Sequence, residues 1–323
     1  MKYMESRDEQ GELKRASLSR VAPWAKSVIV CAINYNTNNL YSTQVSDPAR
    51  GWISRYAWSR EDYHDAVLRR LKQVEGALRE ATATTDPDFV TRSYVDTGPI
   101  VERVFAKYAG VGWIGKNTCI LNQKKGSWFF LGVILASLEL TPDLPAPDRC
   151  GTCTRCIEAC PTDALIAPYQ LDSNRCISYL TIEKRGPIPE DLRSGMGRHV
   201  FGCDICQDVC PWNRKAPATT APEFESRPGL VNPALDWLAE ISEEEFRQAF
   251  RGSPIRRTKR SGLRRNVVIA IGNSRRREFL PILGRLAHDD DETVAESARW
   301  AILQIEEDTR PSLPQPGAIE TSD

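Results

Sequence analysis

The sequence lacks several features that would assign its 323 residues to a familiar class of protein. It has no apolar run of the roughly 18 residues that a membrane-spanning helix needs. Its beginning, Met1 to Arg20, is polar and has no apolar segment like that of a secretory signal, so we expect a cytoplasmic protein without a membrane partner. Its formal net charge is zero, so contact with a polyanion would require a local basic patch.

Cysteine, in contrast, is concentrated in one stretch. Eight of the ten cysteines lie between Cys150 and Pro211. The run from Cys150 to Pro161 has the C-x2-C-x2-C-x3-C-P spacing of bacterial ferredoxins, in which three thiolates hold one [4Fe-4S] cluster and the fourth reaches the other cluster. A second run repeats the end of this pattern before Pro211, with Val200 in place of its first cysteine.

The spacing therefore predicts two clusters with crossed ligands, and Cys176 is the spare thiol that completes the second. The first set is Cys150, Cys153, Cys156 and Cys210, and the second set is Cys160, Cys176, Cys203 and Cys206. The alternatives are structural zinc, which favours paired C-x2-C knuckles, and disulfides, which suit short secreted chains. Cys31 and Cys119 lie outside the pattern, and we expect both to be small buried hydrophobic residues.

Clusters of this kind pass electrons to another group. The sequence has neither of two common binding motifs, the Rossmann motif for dinucleotides and the P-loop for phosphates. No Gly-x-Gly-x-x-Gly segment follows a predicted strand, so a Rossmann site is unsupported. The segment from Ile114 to Thr118 has the wrong preceding glycine spacing for a P-loop. A redox function would therefore need a cofactor of another kind in the N-terminal half.

Hydrophobic patterns divide the N-terminal half into alternating strands and helices. The predicted strands cover residues 27–33, 89–95, 120–122 and 128–138, and the predicted helices cover 62–81 and 100–109. This alternation predicts an α/β or α+β domain over residues 1–141. Because open α/β sheets bind ligands beyond the carboxyl ends of their strands, Asp96 is a candidate site residue.

The remaining chain divides into four predicted parts. They are a ferredoxin-type two-cluster domain over 142–215, a linker over 216–233, an α-helical domain of about two HEAT-like repeats over 234–307, and a disordered tail over 308–323. The helical domain carries a run of bases: Arg256, Arg257, Lys259, Arg260, Arg264 and Arg265. Such a run is either a solvated helical face or a surface for phosphates.

Several phrases together resemble the epoxyqueuosine reductase family. They are Arg55-Tyr56-Ala57, Asp62-Tyr63-His64, DTGPIVER at 96–103, GWIGKN at 112–117, the eight-cysteine pattern, SYLTIE at 178–183 and RRN at 264–266. The resemblance covers nearly the whole chain. It implies a nitroreductase-like N-terminal domain similar to that of reductive dehalogenases, two [4Fe-4S] clusters and cobalamin. It also implies reduction of epoxyqueuosine to queuosine at the tRNA wobble position, with electrons from a flavodoxin- or ferredoxin-type donor.

The resemblance assigns roles to individual residues. It implies that Asp96 is the catalytic acid, which would require burial beside the corrin to raise its pKa well above about 3.9; a turn or helix-capping aspartate is the alternative. The residues that it places against cobalamin are Arg55, Tyr56, Ala57, Trp58, Asp96, Lys116, Asn117, Ser178, Tyr179 and Thr181. Core packing is the alternative for the aromatic residues. The basic run of the helical domain would hold the tRNA.

Other expectations follow from the same resemblance. Because the family holds cobalamin without a protein histidine, we expect surface or capping roles for His64 and His199. The family carries a helix and a strand before the position of Met4, so we expect the N-terminal domain to lack this segment. We expect a monomer. The rival functions are a cobalamin-dependent reductive dehalogenase, which usually has an export signal, and a two-cluster electron-transfer protein without a substrate.

Overall fold

A computed structural model describes residues 4–307 of the chain. The predicted disordered tail, 308–323, lies outside the described residues. The strands are β1 (Ser27–Asn34), β2 (Trp52–Ile53), β3 (Thr91–Tyr94), β4 (Trp113–Ile114), β5 (Ile120–Leu121), β6 (Phe129–Ala136), β7 (Leu165–Ala167), β8 (Gln170–Leu171) and β9 (His199–Phe201). The helices are α1 (Leu18–Val21), α2 (Tyr63–Thr82), α3 (Glu102–Tyr108), α4 (Arg155–Glu158), α5 (Ile177–Ile182), α6 (Glu190–Arg193), α7 (Ile205–Asp208), α8 (Leu235–Glu240), α9 (Glu243–Ala249), α10 (Lys259–Ser274), α11 (Leu280–Leu286) and α12 (Glu292–Glu307).

A three-stranded sheet in the order β1–β6–β3 forms the centre of the N-terminal part. The apolar strand β6 is buried along nearly its whole length and pairs with both neighbours in the antiparallel sense. Helix α2 packs so closely on β6 that a Cβ on Gly132 would lie 2.8 Å from a methyl group of Leu71. Because every pair in this sheet is antiparallel, this part is α+β, one of the two predicted classes.

Local residues set the ends of the helices. Helix α2 begins after Asp62, whose carboxylate accepts a hydrogen bond from the backbone N–H of His64 at 3.0 Å. Helix α3 is followed by Gly110 with φ of +68°, a conformation that glycine adopts without steric cost. In the C-terminal part, Ser242 and Glu245 form a capping box at the start of α9.

The predicted linker over 216–233 packs along the N-terminal part. Asn36 Nδ2 donates to the carbonyl oxygen of Ala216 at 3.0 Å. Phe224 is buried and its ring contacts that of Phe130, with 5.1 Å between the centroids. This segment therefore has fixed contacts and contributes to the core of the N-terminal part.

One apolar cluster crosses the predicted domain boundaries. It joins Trp52 and Trp58 with side chains of α5, β9 and the C-terminal helices. Helix α10 lies at its centre, and it approaches α12 closely enough that a Cβ on Gly272 would lie 2.9 Å from the Cβ of Ala301. Because α10 is enclosed on all sides, its residues from Leu263 to Gly272 are buried, polar ones included. Within the described residues, no helix is both long and apolar enough to cross a bilayer.

Candidate redox and catalytic site

Four thiols line one cavity in the cysteine-rich segment. They belong to Cys150, Cys153, Cys156 and Cys210, which is the first set predicted from the spacing. Burial raises the pKa of Cys210 to about 11, and the nearby thiols of Cys156 and Cys150 add to this effect. A [4Fe-4S] cluster needs four thiolates around one space, so these residues fit that group.

The remaining four thiols of the pattern form a second group. Burial raises the pKa of Cys203 well above its usual range, and the nearby thiols of Cys176 and Cys160 raise it further. A hydrogen bond with Cys119, followed by burial and by the thiols of Cys203 and Cys176, raises the pKa of Cys206. Cys160 thus lies with the second group although it belongs to the first run, as the crossed arrangement requires.

The geometry separates the cluster interpretation from its alternatives. All ten cysteines are free, so the disulfide alternative is wrong. Among residues 4–307, no three His, Cys, Asp or Glu side chains converge on a position for a single metal ion. The four thiols of the first set instead stand around a shared cavity. This arrangement favours a cluster over an isolated zinc ion.

A ninth thiol lies beside the second group. The hydrogen bond with Cys206 lowers the pKa of Cys119, against the effect of burial. The expectation that Cys119 is only a buried hydrophobic residue is therefore wrong. Burial raises the pKa of Cys31, as expected for a thiol that packs in an apolar core. Cys119 lies far from the cysteine pattern in sequence, so the spacing carried no signal for this contact.

The loop of the second group is tied to the N-terminal part by a buried carboxylate. Asp204 stands between Cys203 and Cys206 and accepts hydrogen bonds from Trp52 Nε1 at 3.0 Å and from the Arg55 backbone N–H at 2.7 Å. The hydroxyl of Ser54 donates to the same carboxylate. The chain from Trp52 to Tyr56 is therefore held against the cysteine loop.

Contacts continue from this loop to Asp96. Gly202, next to Cys203, has φ of +70°, and a Cβ there would lie 3.6 Å from the Tyr56 ring. The rings of Tyr56 and Tyr63 meet edge to face, with 5.8 Å between their centroids. The hydroxyl of Tyr63 donates to Asp96 Oδ2 at 2.7 Å. The second thiol group and Asp96 are thus linked by two packed tyrosines.

Asp96 follows β3 in the left-handed conformation, with φ of +56°. Its side chain is 66% exposed. The nearby imidazole of His64 lowers the pKa of Asp96, and the Tyr63 hydroxyl lowers it further. The expected rise in the pKa of Asp96 depends on burial beside a corrin, and it stays a prediction. The carboxylate is ionised at neutral pH.

His64 stands between two carboxylates. Its Nδ1 lies 2.7 Å from Asp62 Oδ1 and its Nε2 lies 3.7 Å from Asp96 Oδ2. Burial would lower the pKa of His64, but these two carboxylates raise it to about 9. His64 therefore belongs to the site, and the expected surface or capping role is wrong. His199 is buried instead, and burial lowers its pKa to about 4.

Several residues that the resemblance placed against cobalamin are enclosed by protein. Arg55 is buried, and its guanidinium donates to the carbonyl oxygens of residues 37, 39 and 40 while stacking on Trp58 and Trp128. Ala57 is buried, and the Thr181 hydroxyl is buried between backbone groups. These side chains support the site from behind, which corrects their expected role as cofactor contacts.

Two further predicted contacts hold the cysteine loops. Lys116 Nζ donates to the carbonyl oxygens of Gly151 at 2.7 Å and Cys153 at 3.0 Å. Asn117 is buried and its amide donates to the carbonyl oxygen of Cys206 at 3.2 Å. Both residues line the cavity of the first cysteine set. Among the predicted cofactor contacts, Tyr56, Ser178 and Tyr179 are half-buried.

The residues of the predicted phosphate-binding run differ in burial and in their partners within the protein. Arg264 and Arg265 are buried; Arg264 forms an ion pair with Asp289 at 2.6 Å, and Arg265 donates to the carbonyl oxygens of residues 180, 184 and 186. Their expected contact with nucleic acid is therefore wrong. Arg260 donates from Nε to a backbone carbonyl oxygen, and Arg257 pairs with Glu183.

Comparison with known proteins gives consistent matches. A family model described as a 4Fe-4S double cluster binding domain matches residues 149–213, and one described as epoxyqueuosine reductase QueG, DUF1730, matches residues 15–97. A relative from Synechocystis sp. named epoxyqueuosine reductase is 46% identical over 78% of this chain and 86% of its own length. One of the same name from Xanthomonas campestris pv. campestris is 42% identical over 90% of this chain and 81% of its own length.

Solved structures give the same result. A crystal structure of selenomethionine-labelled epoxyqueuosine reductase matches with a TM-score of 0.85 and 33% identity, over 94% of this chain and 80% of that chain. A crystal structure of epoxyqueuosine reductase with an epoxyqueuosine-modified tRNA-Tyr stem loop matches with a TM-score of 0.84 and 33% identity, over 94% and 79%. The likeness therefore extends through both halves of the chain.

The role of Cys176 can be tested by counting iron. We predict that Cys176→Ala retains about four irons per chain after anaerobic reconstitution, in place of about eight, because one cluster loses its fourth thiolate. Cys31→Ala is the matched control and should retain about eight. Iron analysis and the visible absorption spectrum provide the measurement. Full iron content in Cys176→Ala would remove it from the ligand set.

The carboxylates around His64 can be tested by titration. We predict that Asp96→Asn lowers the pKa of His64 from about 9, because the neutral amide no longer stabilises the imidazolium. Nitrogen-15 NMR of the three histidines gives the measurement, and His199 should keep its low pKa as an internal control. An unchanged His64 titration would contradict the observed pairing.

Proposed function

The chain belongs to the epoxyqueuosine reductase family, and we propose that it reduces epoxyqueuosine to queuosine at the wobble position of tRNA. Its double-cluster domain, matched over residues 149–213, holds two [4Fe-4S] clusters that transfer single electrons. The observation that carries the proposal is the packed connection from the Cys203 loop through Tyr56 and Tyr63 to Asp96. A solved relative bound to an epoxyqueuosine-modified tRNA stem loop supports tRNA as the substrate.

In this proposal the ligand sets follow the two thiol groups. The first cluster takes Cys150, Cys153, Cys156 and Cys210, and the second takes Cys160, Cys176, Cys203 and Cys206. The shared cavity of the first set and the mutual proximity of the second support this division. Residues 142–215 form the cluster domain, and the helices over 234–307 form HEAT-like units that approach it from one side.

Cobalamin is the further cofactor that family membership implies. Two polar groups could contact a bound molecule. One is the exposed carboxylate of Asp96. The other is the buried Nε2 of His64, which has no hydrogen-bond partner among the described residues. The half-buried side chains of Tyr56, Ser178 and Tyr179 could contact it, so these residues fit the group. Cobalamin would supply a strongly reducing cobalt centre. The nitroreductase-like character of residues 1–141 belongs to the same proposal.

The residues around Asp96 would supply the protons that the reaction consumes. Converting an epoxide to an alkene consumes two electrons and two protons and releases the oxygen as water. Asp96 is ionised at neutral pH, so it must receive a proton before it can protonate the substrate oxygen. The imidazolium of His64 holds a proton 3.7 Å from this carboxylate, and Asp62 holds its ring in position. Tyr63 fixes the orientation of the Asp96 carboxylate.

The exposed bases of the C-terminal part would hold the tRNA. Arg256 and Lys259 are exposed and border Arg257, whose charge also contributes to the lowered pKa of Asp96. Phosphates bound at Arg256 and Lys259 would therefore place the modified nucleotide near the catalytic carboxylate. With Arg264 and Arg265 buried, four of the six predicted bases keep solvent exposure, and two of these, Arg257 and Arg260, also have partners within the protein.

The catalytic role of Asp96 gives a direct test. We predict that Asp96→Asn retains its iron but loses at least about 100-fold in kcat, because general acid catalysis typically contributes 10²–10⁴. The assay is anaerobic turnover of epoxyqueuosine-containing tRNA with cobalamin and a chemical reductant, followed by nucleoside analysis. Asp65→Asn, an exposed carboxylate on α2, is the matched control and should keep normal turnover. Normal turnover in Asp96→Asn would exclude it as the acid.

The tRNA surface predicts a specific salt dependence. If about four phosphates are neutralised, the logarithm of tRNA affinity should fall with the logarithm of salt concentration with a slope near −3. Arg256→Glu should make the slope shallower by about 1, as expected for one lost phosphate contact. Equilibrium binding across a salt series provides the measurement. A slope near zero for the wild-type protein would remove this docking role.

A further inference from the structure

Exposed basic side chains lie on the segments that border the cavity of the first cysteine set. We call this group the basic rim, and it consists of Lys124, Lys125, Arg149, Arg155, Arg214 and Lys215, all exposed. Arg155 lines the cysteine cavity and also an adjacent open cleft, which Arg214 lines from the other side. Arg149 directly precedes Cys150 in the chain, and Lys215 directly follows Arg214.

The turn that carries Lys124 and Lys125 packs against the segment next to Arg214. The two lysines lie between Asn122 and Gly126, and a Cβ on Gly126 would lie 2.2 Å from the amide oxygen of Asn213. The backbone N–H of Ser127 donates to the same oxygen at 2.7 Å. The Lys124–Lys125 turn and the segment after Cys210 therefore form one continuous surface.

The charges of the rim are not neutralised by the protein. Across residues 4–307, none of the six side chains has an acidic group within ion-pair distance. Three acids lie nearby, and each has another partner: Glu158 accepts from Thr154, Asp148 accepts from Tyr169 at 2.5 Å, and Asp208, which lines the cleft of Arg155 and Arg214, accepts from Ser42. Since the whole chain has no net charge, the rim is a local concentration of positive charge.

The contacts between the two thiol groups indicate which end of the electron path lies at the basic rim. Asn117 lines the first cavity and donates to the carbonyl oxygen of Cys206 in the second group. The second group in turn contacts Tyr56, which leads through Tyr63 to Asp96. The first cavity is therefore the end of this path that is remote from the catalytic carboxylate, and it is the end that the basic rim borders.

We propose that the basic rim is the docking surface of a small acidic electron-carrier protein with a flavin or iron–sulfur centre. This inference rests on the proposed function, because the reduction needs two electrons that the clusters must receive from outside. Each docking event would oxidise the carrier by one electron and reduce the cluster behind the rim by one. Two such events supply one turnover. Complementary charge would steer the carrier and orient its centre toward the cysteine cavity.

The tRNA is the other polyanion that could occupy a basic surface. The observations favour separate surfaces, because the modified nucleotide must reach Asp96. The bases that act on Asp96 belong to the C-terminal part, where the charge of Arg257 contributes to the low pKa of that carboxylate. The rim instead borders the thiols at the other end of the path. The test below assigns the rim to one partner or the other.

The experiment compares two charge-reversal variants of the reconstituted protein. Arg214→Glu/Lys215→Glu reverses two rim charges, and Arg251→Glu/Arg256→Glu reverses two exposed charges of the C-terminal part. Stopped-flow absorbance follows cluster reduction by a reduced flavodoxin or, in a second arm, a reduced [2Fe-2S] ferredoxin. The arm with the faster salt-sensitive reaction identifies the carrier class. This measurement needs neither cobalamin nor tRNA, so it is independent of the proposed reaction.

We expect the rim variant to lose about tenfold or more in the second-order rate constant at low salt, and to lose its salt dependence. Reduction by dithionite and affinity for tRNA should stay unchanged in this variant. The C-terminal variant should show the reverse pattern, with normal carrier reduction and weaker tRNA binding. Iron content verifies that both variants hold their clusters.

Two results would overturn the inference. One is an equal rate of carrier reduction in the wild type and the rim variant, and the other is a loss of tRNA affinity in the rim variant with carrier reduction intact. If Arg214→Glu/Lys215→Glu loses iron, Lys124→Gln/Lys125→Gln replaces it, because these side chains are carried by a separate turn. The failure of turnover with tRNA and a chemical reductant would instead count against the proposed function alone.

Discussion

The buried carboxylate of Asp204 is the interaction on which the geometry of the site depends. It lies between Cys203 and Cys206 and collects three hydrogen bonds from residues 52–55. A buried carboxylate is costly unless donors surround it, so the cysteine loop and this segment stabilise each other. The adjacent pairing of β2 with β9 continues the same junction. Because Tyr56 follows the segment directly, the junction also sets where Tyr63 and Asp96 stand relative to the thiols.

Arginine has different roles on the two sides of this junction. Arg55 and Arg265 are buried and donate to backbone carbonyl oxygens, so they hold loops together where no secondary structure does so. A guanidinium suits this role because its five donors have a fixed planar geometry. Arg155 and Arg214 are exposed around the cysteine cavity and remain available to a partner. Residue type alone does not separate these roles; burial does.

Sequence patterns predicted the local elements and the cysteine arrangement well. The predicted helices over 62–81 and 100–109 are confirmed, because the signals at their ends, Asp62 before α2 and Gly110 after α3, act within a few residues. Double-cluster binding was predictable because the thiol spacing is set by the cluster itself. The sheet was not predictable in the same way. Alternating strands and helices predicted an α/β or α+β domain without deciding between them, because strand direction depends on connections that local patterns do not encode.

The amino-acid sequence by itself determined the family, the two-cluster chemistry and the identity of Asp96 as a candidate acid, because motifs and resemblance carry these. Only the tertiary structure decided the environment of that acid. His64 and Tyr63 surround Asp96 and lower its pKa, whereas burial beside a corrin was expected to raise it. The tertiary structure also decided that Arg264 and Arg265 are buried. The physical reason is that pKa and accessibility depend on neighbours brought together from distant segments, which a linear pattern does not specify.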